Sequence, residues 1–164
     1  MYEIDVQNEG RYAVDSERLR AAAEKVLMRH QTAAGSGMTI VITGDEKITA
    51  MNLRYRGIDA PTDVLSFPAD ALPDEFADEA PYLGDLVIAY PYASAQAARE
   101  GHDLQDSVCL LVVHGTLHLL GYDHDTPARR AEMWSAQAEL LTALGISPDI
   151  VPALEGDHDG GHEA

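Results

Sequence analysis

Hydrophobic positions near the start of the chain alternate with polar ones at Tyr2, Ile4 and Val6, the period of two expected of a strand with one buried face. The period then lengthens. Leu19, Ala22, Ala23, Val26 and Leu27 recur at helical spacing behind Asp15 or Ser16, either of which can cap the first turn, and Ala33-Ala34-Gly35-Ser36-Gly37 ends the run as a loop. Met38 to Thr43 is rich in β-branched residues and predicts a second strand that closes at Gly44. Asp45 is expected to cap a short helix through Ile48, Met51, Asn52 and Tyr55, stopped by Gly57.

Val64-Leu65-Ser66-Phe67, set between Pro61-Thr62-Asp63 and Pro68, reads as a short third strand. The acidic, proline-bearing stretch from Ala69 to Pro81 reads as a solvated loop. Leu86-Val87-Ile88-Ala89 after Gly84-Asp85 predicts a fourth strand, and Pro91 favours a helix from Tyr92 to Glu100. Asp103 can cap a helix from Leu104 to Leu120 that is apolar around most of its circumference, the mark of a central buried helix. A last helix is expected from Pro127 to Leu144, with Ala131, Trp134, Ala138, Leu141 and Leu144 as its stripe. These elements predict the α+β class: a small four-stranded mixed sheet packed with about five helices around one buried helix.

At 164 residues, 46% of them hydrophobic, the chain fits one domain with a proper core, expected over residues 1–150. Residues 151–164 hold Glu155-Gly156-Asp157-His158-Asp159-Gly160-Gly161-His162-Glu163-Ala164, too poor in apolar groups to offset their ordering entropy, and are expected to form an acidic, disordered tail. No apolar run is long enough to span a bilayer and no signal sequence precedes the first strand, so a cytoplasmic location is expected. Cys109 is the only cysteine, which excludes an intrachain disulfide and a thiolate metal site; its apolar surroundings predict a buried core residue. The net charge of −17 is uneven: residues 1–56 carry 8 of the 11 Lys and Arg and balance them with 8 acids, so the whole excess lies beyond. A general nucleic-acid-coating protein would be basic, so any polyanion must meet a local patch.

The chemistry is concentrated in His114-Gly115-Thr116-Leu117-His118-Leu119-Leu120-Gly121-Tyr122-Asp123-His124. His114 and His118, four apart, share a helix face, and a turn at Gly121 can return His124 to the same point. Three neutral imidazoles leave the fourth position of a tetrahedral zinc site open, which is the arrangement of catalysis. Imidazole also suits nickel, copper or iron. The offsets coincide with the H-E-x-x-H-x-x-G-x-x-H pattern of metzincin proteases, but Gly115 stands where those enzymes carry the proton-accepting glutamate. Peptide hydrolysis is correspondingly disfavoured. His158 and His162 have the same spacing without a helix to order them, and Asp123 can either orient a ligand imidazole or cap the turn. For anion binding the candidates are Arg54 and Arg56, whose guanidinium groups fork onto phosphate oxygens; a solvated helix face is the plainer alternative.

The histidine segment resembles the signature of the YbeY endoribonucleases, bacterial rRNA maturation factors. Asn52-Leu53-Arg54-Tyr55-Arg56-Gly57-Ile58-Asp59-Ala60-Pro61-Thr62-Asp63-Val64-Leu65-Ser66-Phe67-Pro68 and Leu83-Gly84-Asp85-Leu86-Val87-Ile88 agree with that family in order. The resemblance implies a metal-dependent endoribonuclease specific for single-stranded RNA, acting in 3′-end maturation of 16S rRNA and in ribosome quality control. It further implies that His114, His118 and His124 bind one zinc ion, that Arg56 is the catalytic arginine, and that the partners are the small ribosomal subunit and the GTPase Era. No membrane and no DNA are expected as partners. Two other readings remain: a metzincin-like metallopeptidase without its glutamate, and a non-catalytic ribosome-assembly factor with a structural zinc.

Overall fold

The computed structural model describes residues 2–69 and 81–148. The chain runs β1 (Glu3–Asn8), α1 (Ser16–Arg29), β2 (Gly37–Thr43), α2 (Asp45–Arg56), β3 (Val64–Pro68), β4 (Tyr82–Ala89), α3 (Tyr90–Glu100), α4 (Leu104–Leu119) and α5 (Pro127–Ala143). One four-stranded sheet has the order β1-β2-β4-β3, with β1, β2 and β4 parallel and the edge strand β3 antiparallel to β4. The α+β, mixed-sheet expectation therefore holds. The acidic 69–81 stretch falls largely, and the 151–164 tail wholly, outside the described residues.

Side-chain alternation explains the layering. Met38, Ile40 and Ile42 of β2, Leu86 and Ile88 of β4 and Val64 of β3 face a main core shared with α1, α4 and α5, while Leu65, Val87 and Ala89 face the opposite side and meet Ile48 of α2. Successive strand residues point to opposite faces, so this division follows from the sequence period. All five predicted core positions of α1 are buried, each fully buried leucine being worth about 1.5–3 kcal/mol. Asp15 caps α1 by accepting from the backbone N–H groups of Glu17 and Arg18. From Val108 to Leu117 every residue of α4 is buried, Cys109 included, and burial pushes that thiol up from its ordinary range.

Three local expectations need correction. Asp45 does not cap its own helix: Gly44 is the N-cap, without a side-chain bond, and Asp45 Oδ1 accepts from Tyr92 N–H at 3.0 Å. It thereby caps the start of α3, whose own N-cap, Ala89, has no side-chain acceptor to offer. Second, β4 begins at Tyr82, four residues before the predicted Leu86, because Gly84 lies inside the strand. A Cβ on Gly84 would sit 2.3 Å from the Phe67 carbonyl oxygen, so this glycine permits close approach of β3 and marks no turn. Third, the fully buried face of α5 is Met133, Gln137, Leu140 and the expected Leu141; the expected Trp134 and Leu144 pack against the core half-buried, and Ala131 is exposed. A polar residue at the centre of that face disguised its register. Among the described residues no helix is long and apolar enough to cross a membrane.

Candidate metal centre

The last turn of α4 ends in a Schellman arrangement: Tyr122 N–H donates to Leu117 O and Gly121 N–H to His118 O, each at 3.0 Å, with Gly121 at φ +105°. The chain reverses there, and Asp123 Oδ1 accepts from the backbone N–H of His124 at 2.7 Å. Asp123 thus serves the turn, the second of its two expected roles. The result brings His114, His118 and His124 together, with one ligand atom from each lying within 4.8 Å of the others. Ring centroids are 4.7 to 5.5 Å apart. Trp134 of α5 closes one side, 5.7 Å from the His114 ring and 5.4 Å from that of His124.

Outer partners fix how the imidazoles face. His118 Nδ1 lies 2.9 Å from the Tyr122 carbonyl oxygen, which can only accept, so the proton is on Nδ1 and the Nε2 lone pair is available for a metal. His114 Nδ1 is 2.8 Å from Gln137 Oε1, and the same logic applies. Tyr122 is itself held, because His30 Nδ1–H donates to Val26 O at 3.0 Å and His30 Nε2 accepts from the Tyr122 hydroxyl at 3.0 Å. Histidine ligands ordinarily donate their second N–H in this way, so the donor set fits a divalent ion that favours imidazole. Neither Gln137 nor His30 was singled out in the sequence. Gln137 had a readable signal, a polar residue at helical spacing from Met133, Leu140 and Leu141; His30, 92 residues before Tyr122, had none.

A cleft of about 360 Å³ is lined by these three histidines together with Arg56, Val64, Leu65, Ser66 and Pro68 of the facing elements. Arg56 reaches it from the last turn of α2, which ends at left-handed Gly57 (φ 74°). The connection onward is pinned: Asn52 Nδ2 donates to Ala60 O at 2.8 Å, and fully buried Asp63 accepts from Val64 N–H at 2.7 Å while its carbonyl takes Ala89 N–H. Burial pushes the Arg56 guanidinium down from its usual value, a mark of a partly desolvated charge. Arg54, the other candidate, is exposed and does not line the cleft.

Gly115 sits where α4 crosses the sheet. A Cβ there would lie 2.7 Å from Leu86 Cδ2 and 3.3 Å from Ser66 Oγ, so the helix can approach β3 and β4 this closely only without a side chain. The position that carries glutamate in metzincins has no room for one here. Gly115→Ala is expected to cost about 1–3 kcal/mol, the usual range for overpacking a filled core, and to show in urea denaturation as a lower midpoint at unchanged slope.

The fold and the cleft define a class: an α+β protein with a candidate three-histidine metal centre, open to solvent on one side and faced by an arginine. Comparison with known proteins narrows it. A family model described as "Endoribonuclease YbeY" matches residues 4–145. Proteins named Endoribonuclease YbeY from Chloroflexus aurantiacus and from Halorhodospira halophila are 43% identical over 150 residues and 41% identical over 140. Those alignments cover 89% and 85% of this chain and 97% and 89% of the relatives. The chain belongs to the YbeY family. The solution structure of a Thermotoga maritima protein, 22% identical, superposes with a TM-score of 0.56 over 98% of this chain and 99% of that one, in agreement on the fold.

Proposed function

We propose that this chain is a zinc-dependent endoribonuclease that cuts single-stranded RNA in 3′-end maturation of 16S rRNA and in ribosome quality control. The observation that carries the reading is the meeting of three imidazoles, two of them oriented by outer partners, and one partly desolvated arginine in a single cleft. Family membership supplies the substrate class. His114, His118 and His124 would hold the zinc through Nε2 in the first two cases, their Nδ1 protons being committed to Gln137 and Tyr122. A zinc ion so held supplies Lewis acidity toward a phosphoryl oxygen and acidifies a water toward neutral pH.

The chain's own groups do the rest. Arg56 forks onto the scissile phosphate and offsets the charge that gathers on its oxygens in the transition state. Val64 and Leu65 supply apolar wall to the cleft, which lowers the local dielectric and strengthens that interaction. Whether water or the RNA 2′-OH attacks is read from the product ends, since a 2′,3′-cyclic phosphate requires the latter. A body with net charge −17 is poorly suited to hold RNA unaided, which supports guidance by the small ribosomal subunit and by Era, and hence a cytoplasmic site of action.

The test is to incubate wild type, Arg56→Ala and His118→Ala, each analysed for metal, with single-stranded RNA. Cleavage by wild type alone is expected; equal trace cleavage by all three would mean a contaminating nuclease and end the assignment. Gln137 provides a second check. Gln137→Leu keeps the helix packing but removes the acceptor for His114 Nδ1–H, and is expected to weaken zinc affinity by about 10–100-fold in a chelator competition. Unchanged affinity would show that Gln137 does not orient the ligand.

A further inference from the structure

Beside the cleft, the end of α2 exposes three consecutive residues, Leu53, Arg54 and Tyr55, of which Leu53 is 49% and Tyr55 57% accessible. Tyr55 does not stand alone. Its ring meets that of half-buried Phe67 on β3 edge-on, centroids 5.3 Å apart at 67°, and the Arg54 guanidinium carbon lies 5.3 Å from the Tyr55 centroid. The platform is bracketed by cleft residues on both of its elements: Arg56 follows Tyr55, and Ser66 and Pro68 flank Phe67. Side chains alternate along β3, and Leu65, which shares the Phe67 face, also lines the cleft, so the platform adjoins the cleft along that face of the edge strand.

Resting on the endoribonuclease reading, we propose that Tyr55, backed by Phe67 and flanked by Arg54, stacks an unpaired base of the RNA next to the nucleotide held in the cleft. A single strand that leaves the cleft past Arg56 and Leu65 meets an aromatic ring and a guanidinium, the combination that holds single-stranded nucleic acid without reading its sequence. Charge favours the same occupant. Arg54 and Arg56 fall on either side of Tyr55, so this edge offers an otherwise acidic protein two adjacent guanidinium groups with which to receive a polyanion. A base locked in a duplex has no free face to offer, so the platform also supplies a physical basis for preferring single strands.

The test uses full-length, zinc-loaded protein and a single-stranded oligoribonucleotide carrying a fluorescent purine analogue whose emission is quenched on stacking. Wild type and Tyr55→Phe are expected to quench it and to cleave with similar KM; Tyr55→Ala is expected to lose the quenching and raise KM by about tenfold with kcat nearly unchanged. Tyr55→Ala behaving as wild type, or Tyr55→Phe failing as badly as Tyr55→Ala, would overturn the platform while leaving the nuclease intact. Wild type that neither quenches nor cleaves would overturn the platform and the nuclease reading together.

Discussion

Arg56→Ala is expected to lower kcat on single-stranded RNA by about 10²–10³-fold, with zinc content and thermal stability close to wild type. The size follows from the work assigned to the side chain. A preorganised donor aimed at charge that develops only in the transition state acts on kcat more than on KM, and the partly desolvated setting of Arg56 weakens its screening by water. Stability is spared because Arg56 ends α2 and faces the cleft, whereas that helix is anchored by buried Ile48 and Asn52. Arg56→Lys is expected to recover only part of the rate, since an ammonium keeps the charge but loses the bidentate fork. Single-turnover cleavage by metal-matched proteins gives the comparison. Wild-type kcat in Arg56→Ala, with rRNA processing intact in cells, would favour the non-catalytic assembly factor.

How much of this was legible beforehand depends on whether a property is local. The helix spacing of His114 and His118, the glycine that reverses the chain and the return of His124 are all contained in 11 consecutive residues, and the structure brings the three together as that spacing requires. The α1 core was equally readable because its apolar positions follow one period without interruption. What stayed hidden involves partners distant in sequence. Asp45 offers a good cap, and nothing local reveals that it is used by α3, 47 residues on. Gly84 looks like a turn residue, and only the closeness of Phe67 explains it. The centre of the α5 face was missed for another cause: Gln137 is polar and fully buried, and it occupies the core face because His114 needs an acceptor there. Function thus interrupts the hydrophobic pattern where the site is supported, and the pattern is least reliable at those positions.

His118→Ala is expected to give the opposite failure to Arg56→Ala: loss of the metal first, and of activity as a consequence. His118 is the better test than His114. His114 is fully buried and bonded to Gln137, so its removal leaves a core cavity and an amide without its partner, whereas His118 is half-exposed in the last turn of α4. Removing one of three ligands should weaken zinc binding by more than the roughly 10–100-fold that loss of an outer partner costs. Dialysis should then strip the variant under conditions that leave wild type loaded. Linkage gives a readout independent of catalysis: zinc at about 100 times its Kd adds about 2.7 kcal/mol to the stability of a protein that binds it only when folded. Added zinc should therefore raise the Tm of wild type and of Arg56→Ala, and leave that of His118→Ala nearly unmoved. Equal shifts in all three proteins would place the zinc elsewhere. A chelator that strips wild type without reducing cleavage would separate the metal from the reaction and leave it as a brace for the end of α4.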